Sequence, residues 1–399
     1  MNRILSILLV AAYLAVAALP LGSKALGLRE QPISGSLPPT RVPTLTAAAV
    51  LDESFQKDFT RWFEGHRGLL GHAVHVDNGV LYRLFDETRV GSRVRLGRGR
   101  VLFIDEDIDY LDRREHGIPP AAELDRLADS IAAAQGALLA TGRAMVPIII
   151  PAKTSVYRDA IDPRWLRHFG GPAPSDVELY RHLVDALTAR GVRFVDMRAE
   201  LAASPVARAD LWGLEARHWS YFAACLANHE LLARYAALLG RAMPPYPCVL
   251  AHERASKTHD DYDLWRLLNL WKVPRVSLTV PVAAHAAPVE PTTAPPRALY
   301  VGTSFNWALI RDAATSQRIA PIHLHYYDSQ LIAWPEDTSV KAAAGAPAWR
   351  AVLADKDLVV LDLMEAALYS GHVYVDNFLT ESLRAAPSLP VLPPLPPTR

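Results

Sequence analysis

Apolar and polar residues alternate along this chain in blocks that predict a parallel sheet covered by helices. Short apolar runs with the character of buried strands lie at residues 100–105, 144–153, 192–198, 297–305 and 357–365. Longer stretches with helical spacing lie between them, at 121–140, 175–190 and 220–240. Near-continuous apolar strands that alternate with helices are typical of a parallel sheet buried on both faces. We therefore expect an α/β/α sandwich with a central, mostly parallel sheet.

The N-terminus carries an uncharged apolar segment that follows Arg3 and runs from Ile4 to Pro20. Its length is near the lower limit for spanning a bilayer and slightly long for the core of a signal peptide. Ser23-Lys24-Ala25 is an acceptable cleavage site, so both a membrane anchor and a signal peptide are consistent with the sequence, and the anchor is favoured. In either case most of the chain is expected outside the cytoplasm.

The rest of the chain divides by composition. Residues 1–27 hold the N-terminal segment, and residues 28–46 form a polar, proline-containing linker. Residues 47–385 are expected to form one catalytic domain, and residues 386–399 a proline-rich tail that is extended and mobile. At the start of the domain, an aromatic stripe with helical spacing is expected to be core; it consists of Phe55, Phe59, Trp62 and Phe63.

Composition excludes one class of function. The chain has 399 residues, half of them apolar, and a formal net charge of zero. Nucleic-acid-binding proteins usually show a basic excess, so nucleic acid is not an expected partner. The two cysteines, Cys225 and Cys248, lack metal-ligand spacing; either a disulfide or two isolated thiols fits.

Candidate chemistry lies at Gly302-Thr303-Ser304, where an apolar strand stops and a helical stretch begins. Such a junction is a common turn, and it is also where many hydrolases and acyltransferases present a nucleophile. A serine nucleophile needs an adjacent base, and His218, on a loop or first helical turn before Tyr221, is the best candidate. A structural histidine is the alternative interpretation of His218.

Two segments resemble the signature blocks of the alginate O-acetyltransferase group, which belongs to the SGNH-hydrolase superfamily. They are "ARHWSYFAACLANHELLARY" and "LYVGTSFNW". The family patterns are Asp-x-His-Trp before a helix, and Gly-Asp-Ser-Phe. Weaker similarities follow in the family's order from about residue 50 to residue 380. The resemblance implies an SGNH-hydrolase-like fold, with Ser304 as nucleophile, His218 as base and Trp219 as the aromatic residue that follows it.

The sequence departs from the family pattern at two positions. Thr303 stands where the family has an aspartate before the nucleophile, and Ala216 stands where the family has the acid that orients the histidine. Glu215 is the first candidate to replace that acid, and Glu365 and Asp328 are others expected near strand ends. In an extended segment, neighbouring side chains point to opposite faces, so Glu215 would serve only if the loop were re-aimed.

Further residues are candidates for binding the oxyanion or a sugar. The Ser304 N–H is the natural oxyanion donor, and Asn306 is either a second donor or a helix cap. Expected substrate-binding residues are Trp219, Lys153, Tyr326 and Tyr327. Lys153 ends a strand and could meet an anionic sugar, and the two tyrosines could stack on sugar rings. His323 and His325 suggest a zinc pair only weakly, since no third ligand has suitable spacing.

The resemblance implies a periplasmic O-acetyltransferase, held at the inner membrane by residues 4–20, that acetylates a secreted alginate- or cellulose-like polysaccharide through an acetyl-serine intermediate. It also implies a membrane-bound O-acyltransferase as the partner that brings the acetyl group across the membrane. No cofactor or metal is implied. Two alternatives remain: a catalytically impaired polysaccharide-binding or assembly component, suggested by Ala216, and an acetyl esterase, in which water is the acceptor.

Overall fold

A computed structural model describes residues 3–35, 41–89, 93–112, 120–166, 176–241, 243–254, 262–271, 279–285, 294–368 and 373–392. The chain forms two compact units. The first comprises residues 1–96 and 264–276, and the second comprises residues 97–263 and 277–399. The single domain expected over residues 47–385 is therefore divided, because residues 47–96 fold with the N-terminal segment.

The first unit is mainly helical. Its elements are α1 (Arg3–Ala25), α2 (Ala47–Leu51), α3 (Ser54–His66), α4 (Leu70–Val80) and β1 (Val94–Leu96). Residues 264–276 also belong to this unit and contact its first part. The Asn269 side chain accepts a hydrogen bond from the Ser34 N–H and donates one to the Ser34 carbonyl. The Trp265 ring meets the Tyr82 ring edge-on, with centroids 5.4 Å apart.

The aromatic stripe of α3 was expected to be core, and that expectation is wrong. Within the part of the chain that the structure describes, none of the thirteen residues of α3 is buried. Phe59 and Phe63 are 41% and 38% exposed. The rings pack on one another along the helix instead, with centroids 5.8 Å apart for Phe55 and Phe59 and 6.3 Å apart for Phe59 and Phe63.

The second unit is built on a seven-stranded sheet in the order β10-β9-β8-β7-β11-β3-β4. The strands of this unit are β2 (Leu102–Ile104), β3 (Ala144–Ile150), β4 (Val195–Asp196), β5 (Val249–Arg254), β6 (Thr279–Ala284), β7 (Ala298–Gly302), β8 (Ile322–Tyr326), β9 (Gln330–Trp334), β10 (Thr338–Lys341) and β11 (Leu358–Met364). From β4 to β8 the neighbours run parallel, whereas β9 and β10 form an antiparallel edge. Every residue of β3, β7 and β11 is buried, as expected for central strands covered on both faces.

Two groups of helices surround this sheet. One contains α11 (Tyr221–Leu239) and α13 (Asn306–Ser316); the other contains α6 (Ala121–Leu139), α8 (Asp176–Ala189), α14 (Ala346–Leu353) and α16 (Val373–Ala385). Of these helices, α11, α13, α6 and α16 contact the strands of the sheet, whereas α8 packs on α6 and α14 packs on α16. Shorter helices join the elements: α5 (Asp105–Asp112), α7 (Lys153–Val156), α9 (Met197–Ala203), α10 (Arg208–Leu211), α12 (Asp263–Leu267), which begins in this unit, and α15 (Glu365–Leu368). Cys225 of α11 forms a disulfide with Cys248, so the two cysteines are not isolated thiols.

The expected α/β/α architecture is confirmed, with two corrections. The apolar run at residues 100–105 contains β2, but β2 lies outside the seven-stranded sheet.

The tail from residue 386, which was expected to be extended and mobile, is packed as far as Leu392. Arg143 donates to the Pro390 carbonyl at 2.8 Å, and the Leu392 N–H donates to Thr141 at 3.0 Å. Residues 393–399 lie outside the described residues, as do residues 36–40 of the predicted linker.

Candidate active site

Ser304 lies in the turn that joins β7 to α13, beyond the carboxyl end of a central parallel strand. Ligand sites of open α/β sheets lie beyond these ends. Gly302 closes the strand with a φ of +151°, and a Cβ atom at this position would lie 2.3 Å from Asp362 Cβ on β11. The close approach of two neighbouring strands therefore requires glycine immediately before the turn.

His218 connects Ser304 to a carboxylate. The Ser304 Oγ atom lies 2.8 Å from His218 Nε2, and His218 Nδ1 lies 2.7 Å from Asp263 Oδ2. An ionised carboxylate only accepts hydrogen bonds, so Nδ1 carries the proton and Nε2 is left to accept from the Ser304 hydroxyl. His218 and Asp263 are each less than one-fifth exposed. The three side chains form a Ser-His-Asp relay of the kind that activates a serine for acyl transfer.

Asp263 is held by the same loop that carries His218. Its Oδ1 atom accepts a hydrogen bond from the Arg217 N–H at 2.6 Å, while Oδ2 takes the imidazole proton. Both carboxylate oxygens are therefore committed to two adjacent residues of one loop. This fixes the orientation of the acid relative to the imidazole ring.

Asp362 fixes the nucleophile turn from the neighbouring strand. Its Oδ2 atom accepts from the Thr303 N–H at 2.9 Å, from the Thr303 hydroxyl at 2.6 Å and from Asn306 Nδ2 at 3.2 Å. The Thr303 Oγ1 atom also accepts from the Phe305 N–H at 3.3 Å. Asp362 is fully buried, and burial raises its pKa to about 6 in spite of these hydrogen bonds.

Lys153 fixes the loop before His218. This side chain is fully buried, and its ammonium group donates to the carbonyls of Gly213, Leu214 and Ala216 at 2.9, 2.7 and 2.6 Å. An ammonium has three protons, and each of them is matched here by a carbonyl oxygen. The cation thus holds the backbone that leads directly into Arg217 and His218.

Asp107, on α5, is a second fully buried carboxyl in the electrostatic surroundings of this loop. Neither of its side-chain oxygens has a hydrogen-bond partner in the described part of the chain. Burial raises the pKa of Asp107 to about 6, and the charges of Arg217, Lys153 and His218 act in the opposite direction. When ionised, this carboxyl adds a negative charge that interacts with the cations of Arg217 and Lys153.

Phe305 forms the apolar wall of the site. Its ring lies edge-on to the His218 ring at 4.8 Å and contacts the Trp212 and Trp219 rings at 5.6 and 6.2 Å. The Trp219 indole N–H donates to the Phe305 carbonyl at 3.2 Å. The nucleophile turn and the histidine loop are therefore joined by ring packing as well as by the Ser304–His218 hydrogen bond.

A comparison with known protein families assigns the chain to one of them. Residues 94–306 match the profile of the SGNH hydrolase-like domain of the acetyltransferase AlgX, and this range includes His218, Asp263 and Ser304. The chain belongs to this family. A comparison with curated protein sequences found no significant match.

Solved structures of similar proteins include the O-acetyltransferase domain of Pseudomonas putida AlgJ, with 19% identity and a TM-score of 0.44 over 73% of this chain and 99% of that one. Pseudomonas aeruginosa AlgX matches at 12% identity with a TM-score of 0.43, over 75% of this chain and 67% of that one. Bacillus cereus PatB1 with a sulfonyl adduct matches at 9% identity with a TM-score of 0.44, over 70% of this chain and 95% of that one.

The acid of the relay is not the one expected from the AlgX-family pattern. Glu215 was the first candidate, but the carboxylate at His218 Nδ1 belongs to Asp263. Glu365, the second candidate, is buried and accepts from the Ala152 N–H, the Ser155 hydroxyl and Arg198 Nη1. The sequence holds one clue to this acid: Asp263 begins the segment "DLWRLL", which lies within the range that resembles the family.

Two residues that were expected to bind a sugar are buried and already hydrogen-bonded, so that expectation is wrong for both. Lys153 is fully buried and its ammonium protons go to backbone carbonyls, so it cannot meet an anionic sugar. Trp219 is 2% exposed, and its N–H is bonded to the Phe305 carbonyl. Both residues act on the loops that carry the relay rather than on a ligand.

Tyr326 and Tyr327 lie beside the nucleophile turn, as a substrate-binding role would require. Tyr326 pairs with Gly302 across β8 and β7, and the Tyr327 N–H donates to the Gly302 carbonyl at 3.0 Å. Tyr327 is 45% exposed, and its ring lies 4.6 Å from the Tyr326 ring. Binding of a sugar by this pair stays a prediction.

The remaining candidates have structural partners. Asn306 is buried and donates to the Thr303 carbonyl and to Asp362, which makes it part of the turn and not an oxyanion donor. Asp328 accepts from Asn377 Nδ2. The buried His325 packs against the Trp349 ring at 4.3 Å, and burial lowers its pKa.

One group of possible metal ligands occurs among the described residues. Atoms of Cys225, His285 and Asp312 lie within 4.8 Å of one another. The Cys225 sulfur is in a disulfide and is not a thiolate, and Asp312 already accepts from Asn228, Tyr246 and His285. This donor set does not fit a metal site.

Proposed function

We propose that this protein is an exported O-acetyltransferase that acetylates a secreted polysaccharide, alginate- or cellulose-like, through an acetyl-serine intermediate. The observation that carries the proposal is the relay from Ser304 through His218 to Asp263, within a chain of the AlgX acetyltransferase family. The acid that this chain lacks at position 216 is supplied by Asp263. This pairing supports an active enzyme over a catalytically impaired binding component.

The geometry supports a two-step transfer. In the first step the Ser304 Oγ atom attacks the acetyl carbonyl carbon, His218 Nε2 takes the hydroxyl proton and passes it to the leaving group, and an acetyl-Ser304 ester forms. In the second step a sugar hydroxyl attacks this ester, His218 takes the hydroxyl proton, and the proton returns to Ser304 Oγ as the acetylated sugar leaves. Asp263 keeps the imidazole in the required tautomer and stabilises the imidazolium.

The Ser304 N–H is the proposed first oxyanion donor. It lies at the start of α13, an eleven-residue helix whose N-terminal dipole end favours negative charge. Tyr326 and Tyr327, next to the same turn, are the proposed platform for the acceptor sugar. The acetyl donor is proposed to be supplied by a membrane-bound O-acyltransferase.

A transfer assay tests the activity. The full chain, an aryl acetate as model donor and a candidate polysaccharide are incubated together, and polymer-bound acetyl and free acetate are measured separately. Acetyl on the polymer with wild type, and none above background with Ser304→Ala or His218→Ala, is expected. Free acetate alone, still dependent on Ser304, would identify an esterase. Equal turnover by wild type and Ser304→Ala would refute both enzyme functions.

Periplasmic localisation, with retention at the inner membrane, is proposed from the N-terminus. Residues 4–25 form an apolar helix that is long enough to span a bilayer, a test that signal sequences also pass. Ser23, part of the possible cleavage site, is 4% exposed and bonded to the Pro20 carbonyl, which favours an anchor over a cleaved peptide. Deletion of residues 1–27 should leave the protein in the cytoplasm; normal export of this truncation would show that another segment directs it.

A further inference from the structure

The aromatic stripe of α3 is not part of a core: Phe59 and Phe63 are exposed, and Phe55 and Trp62 are only partly buried. Phe55, Phe59, Trp62 and Phe63 lie within about 100° of one another around a helix with 3.6 residues per turn. The opposite face carries Lys57, Thr60, Arg61 and Glu64. A helix with one aromatic face and one charged face is typical of the water–membrane interface, where phenylalanine and tryptophan side chains accumulate.

The stripe lies on the same unit as the candidate anchor, and one end of α3 adjoins the end of α1. A cleft of about 240 Å³ is lined by Lys24 of α1 and by Gly65, His66 and Arg67 at the end of α3. Gly68 approaches α1 so closely that a Cβ atom there would lie 2.1 Å from Ser23 Oγ and 2.3 Å from the Pro20 carbonyl oxygen. The end of α3 is thus fixed against residues 20–24 of α1.

This contact determines the depth at which the end of α3 lies relative to a bilayer. The 23 residues of α1 span about 35 Å, slightly more than the roughly 30 Å hydrocarbon core. If α1 crosses the membrane, residues 20–24 reach the outer surface, where the Lys24 ammonium can meet the headgroups. The end of α3 then lies at the same surface.

We propose that the aromatic stripe of α3 is embedded in the lipid interface and forms a second membrane contact beside α1. The proposal rests on the anchoring role proposed for α1 but not on the acetyltransferase activity. The charges within α3 cancel, since Lys57 and Arg61 oppose Asp58 and Glu64. Binding is therefore driven by burial of aromatic surface, and it should depend little on lipid charge or on salt.

Depth-dependent quenching tests this contact in the full chain. Both native cysteines are in a disulfide, so single cysteines can be introduced and labelled with an environment-sensitive fluorophore. Phe59→Cys and Phe63→Cys probe the stripe, and Lys57→Cys and Glu64→Cys are matched controls on the opposite face. Leu14→Cys, in the middle of α1, reports insertion of the anchor. Each variant is reconstituted into phosphatidylcholine vesicles that contain brominated acyl chains.

The expected result is strong quenching at position 14, clear quenching at positions 59 and 63, and little at positions 57 and 64. The pattern should persist with anionic lipid and at high salt. Quenching at 14 without any difference between the two faces of α3 would overturn the proposal and leave the stripe to a protein partner or a second copy. Absence of quenching at 14 would refute the anchor itself, and with it this proposal, whereas the transfer assay would be unaffected.

Discussion

His218 donates its Nδ1 proton to Asp263, which lies 45 positions further along the chain. The family pattern places this acid two residues before the histidine, where this chain has Ala216. Ala216 is fully buried, its carbonyl accepts a hydrogen bond from Lys153, and His218 Nδ1 is already paired with Asp263. In this chain the acid beside His218 therefore comes from a different segment than the family pattern predicts.

Asp263→Asn should lower kcat by up to about 10⁴-fold with little loss of stability, since the amide cannot hold the imidazole in the required tautomer. Glu215→Gln is the matched control and should have almost no effect. Ala216→Asp should not raise turnover, because His218 Nδ1 already has a partner. Steady-state kinetics of ester turnover checks all three; greater loss with Glu215→Gln than with Asp263→Asn would contradict the assignment.

Lys153→Met should lower both stability and kcat. The substitution leaves three carbonyls of the His218 loop without their donor, and each buried unpaired polar group costs roughly 1–3 kcal/mol. Lys356→Met is the control, since Lys356 is also buried but pairs with Asp355. Denaturant titration and kinetics are the measurements. A normal kcat for Lys153→Met at a temperature where it remains folded would show that the hydrogen bonds from Lys153 to the loop do not position His218.

Asp362 should act on catalysis through Thr303. Asp362→Ala and Thr303→Val should each lower kcat with little change in KM, and the double variant should lose less than the sum, with a coupling of about 0.5–3 kcal/mol. Asp362→Asn, which keeps one acceptor oxygen, should retain more activity than Asp362→Ala. Asp357→Asn is the control. Asp357 lies just before the N-terminal end of β11, away from the nucleophile turn, and pairs with Arg297. Fully additive effects on kcat would mean that Asp362 does not act through the turn.

Asp107 should make the protein less stable as pH rises. Because burial raises its pKa from 3.8 to about 6, the folded state holds a proton that the unfolded state releases between about pH 4 and pH 6. The free energy of unfolding therefore falls across this window. Asp107→Asn should reduce the fall by up to roughly 3 kcal/mol, while Asp129→Asn, at an exposed site, should not. Parallel pH dependence of wild type and Asp107→Asn would contradict this account.

Much of the fold follows from the sequence because buried parallel strands and their covering helices leave strong local patterns. The runs at residues 144–153, 297–305 and 357–365 contain β3, β7 and β11. Ser304 and His218 could be selected because a strand–turn–helix junction and a histidine before a helix are both visible in the sequence. The resemblance to the AlgX family then linked these two positions.

The partners of those residues could not be predicted in the same way. The approach of Asp263 to His218 depends on the path of a loop, and the three carbonyls around Lys153 come together only in the folded chain. Helical spacing in α3 showed an aromatic face but not whether a core covers it. Contacts that depend on three-dimensional convergence leave no local pattern in a single sequence.

The most direct test of the central claim is to locate the acetyl group on the enzyme. Wild type, Asp263→Asn and Ser304→Ala are incubated with an aryl acetate, quenched in acid and analysed by peptide mass spectrometry. The account predicts one acetyl group on the peptide that contains Ser304, formed rapidly by wild type, slowly by Asp263→Asn and not at all by Ser304→Ala. Ester turnover with no acetyl group on Ser304, or equal turnover by Ser304→Ala, would contradict it.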